Sequence, residues 1–218
     1  MEYLPILLVF ILYFSSIPIA YALFGASIFY FTFFDAGMPP DLGLQKFITA
    51  TAAFPLLAIP FFVMAGSVMN YSGISAKLMQ MAEVLTGHMV GGLAQVNVVL
   101  STMMGGVSGS ANADAAMQSK ILVPQMEARG YSRAFSAAIT AASSAISPVI
   151  PPGIVMIIYA LIAQVSVGKM FAAGYVPGLI MATFLMITVS IIANKRGYEP
   201  TRDSRASRGE VGMQFLDS

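Results

Sequence analysis

Five uncharged runs, residues 3–34, 47–76, 89–113, 134–168 and 170–194, alternate along the chain with short polar stretches. Each is longer than the roughly 20 apolar residues a helix needs to cross a bilayer. Several runs are interrupted inside. In lipid a broken helix is tolerated only where protein or a water-filled cavity receives the freed backbone groups. The interruptions therefore mark the unusual parts of the molecule.

Ser15-Ser16-Ile17-Pro18 divides the first run and predicts helices over 3–16 and 18–34. Asp35-Ala36-Gly37-Met38-Pro39-Pro40-Asp41 reads as a loop, followed by a short helix over 45–53 and a span over 55–71. In residues 75–88, Lys77, Gln80, Glu83 and His88 interleave with Leu78, Met79, Met81, Ala82 and Leu85. That pattern predicts an amphipathic helix lying at the membrane surface or bracing other helices. Two short apolar stretches, 91–104 and 115–126, flank a Gly/Ser tip at 105–114. They predict a re-entrant helical hairpin that enters and leaves the membrane on one side. Ser147-Pro148-Val149-Ile150-Pro151-Pro152-Gly153 falls in the middle of the next run. Its three prolines remove three N–H donors and forbid a continuous helix, so two half-helices joined by extended backbone are expected. Residues 170–193 read as an ordinary span, and the tail 194–218 as polar and basic with an amphipathic piece over 211–216.

Composition narrows the class. Of 218 residues, 57% are hydrophobic and 10% charged, against about 25% charged in soluble domains. Mean hydropathy is +0.79. An all-α polytopic membrane protein is the expected fold class. The net charge of +1 gives no reason to expect nucleic acid or an acidic surface as partner. With no cysteine and one histidine, disulfides, thiolate nucleophiles and multi-histidine metal sites are excluded. Glu2 is the only early charge, where a cleavable signal would carry basic residues.

The few charges orient the chain. Alternation through the spans, with the hairpin returning to its own side, puts Lys77, Arg129, Arg133, Lys195, Arg196, Arg202, Arg205 and Arg208 together. Only Lys46 and Lys169 fall on the other side, beside Glu2, Asp35 and Asp41, and Lys120 lies in the hairpin. This predicts a cytoplasmic tail and hairpin mouth, and an N-terminus on the outer, periplasmic side.

The chemistry concentrates in the tip and the break. Half-helix C-termini and unwound carbonyls suit a hard monovalent cation such as sodium, and half-helix N-termini favour an anionic group. Ser108, Ser110, Asn112, Ser144 and Ser147 add neutral oxygens, and glycines at 105, 106 and 109 let backbone approach closely. The sodium- or substrate-binding candidates are Ser108, Gly109, Ser110, Asn112, Asp114, Ser144, Ser147, Pro148, Pro151 and Pro152, with Ser108, Ser110 and Ser147 as sodium ligands. Small residues also line ordinary helix contacts in membranes, so any one serine alone is equally open to that reading. Asp114 has two readings: a functional charge within the bilayer, or the first turn of the returning helix, complementing its dipole. Lys77 and Glu83 read as a solvated helix face, His88 as structural, and Lys120 as able to snorkel. No nucleophile–base set suggests an enzyme.

Several motifs resemble one family. Phe54-Pro55-Leu56-Leu57-Ala58-Ile59-Pro60-Phe61-Phe62 is similar to its third-span segment. Gly87-His88, Gly91-Gly92-Leu93-Ala94 and Asn97-Val98 resemble the hairpin's opening, and Gly109-Ser110-Ala111-Asn112-Ala113-Asp114 its tip. Ile146-Ser147-Pro148-Val149-Ile150-Pro151-Pro152 resembles the broken helix that follows. The family is the large membrane subunit of tripartite ATP-independent periplasmic (TRAP) transporters, of the C4-dicarboxylate and sialic-acid type, and the match runs in order over residues 18–198.

The resemblance implies one of two inverted repeats of an elevator-type, sodium-driven symporter in the bacterial inner membrane, with no cofactor beyond the coupling ion. It implies a small four-span membrane subunit, a periplasmic solute-binding protein and an organic-acid substrate as partners. Residues 1–90 would then be scaffold spans and arm helix, 91–165 the transport unit, 166–194 a further span, and 195–218 a basic linker at which the first repeat ends. A second tip and break are not found in the sequence. Another ion-coupled anion carrier, or a scaffold subunit without transport, are the alternatives.

Overall fold

A computed structural model describes residues 3–34, 40–52 and 54–217. Among these there is no β-strand, and the chain forms α1 (Leu4–Phe14), α2 (Ile19–Phe33), α3 (Pro40–Thr51), α4 (Phe54–Tyr71), α5 (Ile74–Thr86), α6 (Gly92–Gly105), α7 (Ala111–Ala128), α8 (Arg133–Ser144), α9 (Ile154–Ile162), α10 (Val167–Arg196) and α11 (Arg208–Asp217). The helices fall into two compact units, Met1–Phe54 and Pro55–Ser218.

In the first unit, α1 packs on α2 and α2 on α3. The predicted break holds: α1 ends before Ser15, and Pro18 caps α2 in extended conformation. The predicted loop over 35–41 lies mostly outside the described residues. Asp41 belongs to α3, which starts earlier than expected because Pro40 suits a first helical turn.

In the second unit α6 is central. Eleven of its residues are buried, including Leu93, Val96, Val98, Leu100 and Met104. It packs against α5, α7, α8 and α10. A helix buried on nearly every face is a core helix. Leu122 and Met126 of α7, Ile139 of α8, Ile146 and Ile150 of the break and Val189 of α10 complete the cluster. The amphipathic segment takes the bracing role: α5 packs on α6 and α11, and Ala82 is fully buried.

The returning helix of the hairpin and the tail helix start before their expected residues. The returning helix of the hairpin begins at Ala111 rather than Ala115, because Ser110 caps it and accepts from the Ala113 N–H at 3.4 Å. The tip is therefore shorter than 105–114, and Asn112 and Asp114 are helical. The tail helix α11 also starts three residues before its predicted piece.

Alone among the described helices, α10 is long and apolar enough to cross a membrane. One stripe of it is small and buried, at Gly174, Gly178 and Ala182, the spacing that lets membrane helices approach closely. The other stripe exposes Val176, Ile180, Phe184, Ile187 and Ile191.

Candidate functional site

The hairpin α6–α7 and the interruption between α8 and α9 meet. Helix α8 stops at Ser144 and α9 starts only at Ile154. The Pro151–Pro152 peptide is cis. A Cβ on Gly105 would stand 2.6 Å from Ile150 Cβ and 2.9 Å from the Ser147 carbonyl oxygen. A Cβ on Gly109, whose φ is +56°, would stand 2.5 Å from the Pro152 carbonyl oxygen. Real Cβ contacts are never so short, so only glycine lets the tip rest on the break.

Four helix ends converge there. The α6 C-terminus turns through Gly106, where the Val107 and Ser108 N–H groups both donate to the Met104 carbonyl. The α8 C-terminus turns through Ala145, with the Ile146 N–H on the Ser143 carbonyl. The α7 N-terminus carries the Ser110 cap. The α9 N-terminus, at Gly153, has no side-chain cap. A cavity of about 300 Å³ opens beside the tip, lined by Ser108 and Ser110, Gly66 and Ser67 of α4, Ala113 of α7 and Ile154 of α9.

Beneath the cavity lies a buried polar network. Asp114 is fully buried and does not line the cavity. The Ser147 hydroxyl donates to its Oδ2 at 2.7 Å. The Gln118 amide donates to its Oδ1 at 2.7 Å and contacts Ser101 Oγ at 2.6 Å. The Ser147 hydroxyl also lies 3.0 Å from the Ser101 carbonyl oxygen. A second network ties α6 to α8: the Asn97 amide donates to Thr140 Oγ1 at 2.9 Å, and the Ser143 hydroxyl donates to Asn97 Oδ1 at 2.5 Å.

The structure thus brings Ser108, Gly109, Ser110, Asp114, Ser147, Pro148, Pro151 and Pro152 to one junction. Asp114 lies in the first turn of α7, the position from which it complements the helix dipole. Asn112 is exposed on α7. Ser144 is buried and donates back to the Thr140 carbonyl at 2.7 Å, away from the cavity. Sequence reasoning passed over Ser101, Gln118 and Thr140. Their signal was polar residues four apart in apolar helices: Asn97 with Ser101, Asp114 with Gln118, and Thr140 with Ser144.

The opposite end of the hairpin gathers cations and aromatic rings. Tyr198 stacks on Tyr131 at 4.1 Å between centroids, and Arg196 lies 5.4 Å from the Phe135 ring. The Ser132 N–H donates to the Tyr198 hydroxyl and lowers its pKa, while burial raises that of Tyr131. The Thr201 and Arg202 N–H groups both donate to the Gly87 carbonyl, at 2.7 and 3.0 Å, and Gly91 N–H to the Tyr198 carbonyl at 3.2 Å.

Residues 6–217 match the family described as "Tripartite ATP-independent periplasmic transporter, DctM component". The chain is 37% identical over 216 residues to the sialic acid TRAP transporter permease protein SiaT of Haemophilus influenzae, covering 99% of this chain and 35% of that protein. It is 38% identical over 204 residues to the 2,3-diketo-L-gulonate TRAP transporter large permease protein YiaN of Escherichia coli, covering 92% and 47%. It is 32% identical over 198 residues to the C4-dicarboxylate TRAP transporter large permease protein DctM of Rhodobacter capsulatus, covering 84% and 45%. The chain therefore spans under half the length of these relatives, which are named as permeases and not as enzymes.

Proposed function

Because the chain belongs to the tripartite ATP-independent periplasmic transporter family, as its DctM or large permease component, an integral membrane protein, we propose that it forms one repeat of a sodium-coupled importer of small organic acids. In this reading the hairpin α6–α7 is re-entrant, residues 91–165 are the moving unit of an elevator, and residues 1–90 supply scaffold and arm. The complete permease would sit in the inner membrane with a small membrane subunit and receive substrate from a periplasmic binding protein.

One observation carries the reading: the four helix ends at the tip and break. The α6 and α8 C-termini and the carbonyls between them offer partial negative charge and no competing cation, which suits sodium. Ser108, Ser110 and Ser147 are the hydroxyls at hand. The N-termini of α7 and α9 border the cavity through Ser110, Ala113 and Ile154, which suits a carboxylate. The three relatives are named for sialic acid, a diketo-gulonate and C4-dicarboxylates, and a carboxylate is what these substrates share. The cations gathered around Tyr131, Tyr198 and Gly87 support a cytoplasmic mouth.

The test is uptake of a radiolabelled organic acid by the complete complex in proteoliposomes, with sodium gradients replaced by choline. Uptake should vanish without sodium, and Ser110→Ala should raise the sodium concentration needed. Sodium-independent uptake removes the cation reading. Uptake indifferent to both Ser110→Ala and Ser147→Ala favours a scaffold role for this repeat.

A further inference from the structure

Among the described residues Asp114 is the one carboxylate with a fully buried side chain, and the coupling reading leaves its role open. A bare carboxylate is among the most costly groups to bury. Here both of its oxygens are taken by internal donors, Gln118 on one side and Ser147 on the other, at 2.7 Å each. It is absent from the cavity lining. What it does reach is the break. The single hydroxyl proton of Ser147 faces two acceptors, and the carboxylate is nearer than the Ser101 carbonyl, at 2.7 against 3.0 Å. Hydrogen bonds to a charged group are the stronger class. Ser147 is also the residue whose carbonyl abuts Gly105 at the end of α6.

We propose that Asp114 is a positioning residue: it holds the Ser147 hydroxyl, and through Ser147 it fixes the direction of the carbonyls in the break. The proposal rests on the cation-coupled reading, in which those carbonyls set sodium affinity. Gln118 is the second clamp, keeping the carboxylate aimed at the break while its own amide is held by Ser101.

A double-mutant cycle in the complete permease tests it, using sodium alone as the probe and thermal stabilisation by NaCl against choline chloride as the readout. Asp114→Ala and Ser147→Ala should each raise the sodium half-saturation by about tenfold, and the double variant no further, since residues acting as one unit are not additive. Additive shifts mean that Asp114 acts on the cation directly, and no shift means that it does not act on the site; either overturns the proposal. If Asp114→Ala does not fold, the cycle is run with Asp114→Asn. Amide exchange over residues 145–153 is measured without sodium in the same variants. It should quicken in Asp114→Ala relative to α10. Unchanged exchange overturns the positioning role. If the wild type shows no sodium response while exchange still quickens, the positioning stands and the transport reading fails.

Discussion

At the residue scale, close approach decides which side chains are allowed. Gly105→Ala places a Cβ against the branch point of Ile150 and a backbone carbonyl, neither of which can swing away. Gly178→Ala meets chiefly the Cδ1 of Ile150, which can rotate. The first substitution should destabilise the complete permease by ~1–3 kcal/mol, and the second by less, as judged by thermal unfolding in detergent. Asn97→Ala removes the donor to Thr140 Oγ1 and one of two acceptors of the Ser143 hydroxyl, which keeps the Thr140 carbonyl at 3.1 Å, and leaves both hydroxyls buried. The expected cost is about 1–3 kcal/mol, read in the same assay; an unchanged midpoint would mean that water takes Asn97's place. The tip and break hydroxyls were legible because Gly and Pro frame them in sequence. Gln118 and Ser101 were not, because a polar pair four apart in an apolar helix looks alike whether it faces a buried network or a neighbouring helix.

Among elements, the broken span was the most legible, since proline chemistry acts locally. The start of α7 was not, because it turns on whether Ser110 caps a helix or continues a loop, and that depends on what the tip rests on. The docking of α11 on α5 was also hidden. It is joined to the tail by an Arg202–Glu210 ion pair, and the guanidinium hydrogen bond holds the Glu210 carboxyl below its ordinary 4.5. A depressed carboxylate stabilises above its unfolded pKa. This contribution is complete at pH 7 and is lost as pH falls from 4.5 through the lowered value. Protease nicking of residues 203–207 should therefore increase on acidification below that point in wild type, and be high at both pH values in Arg202→Ala. A nicking rate indifferent to pH would show that the ion pair does not hold the segment.

For the whole molecule, the exposed surface is the governing fact. Phe10, Phe14, Tyr21, Phe61 and Phe184 are each at least half exposed. Patches of this kind are lipid-facing or partner-facing. The purified chain should elute as one species in a mild detergent and aggregate when the detergent is removed, by size-exclusion chromatography; a monodisperse peak in plain buffer would contradict the membrane assignment. Class and family were legible at this scale, because composition and ordered motifs run the length of the chain. The pairing of distant segments was not, because it depends on contacts that no local pattern encodes.

The tail's return to Gly87 and Gly91 bears on synthesis. Gly91 leaves the ribosome about 110 residues before Thr201 and Arg202, an interval on the order of ten seconds at ordinary elongation rates. Throughout that time the opening of the hairpin lacks its last hydrogen bonds, while Asn97, Ser101 and Asp114 await partners from α8 and the break. The hairpin therefore stands in an incomplete form, packed on α5, until the tail beyond α10 has been made.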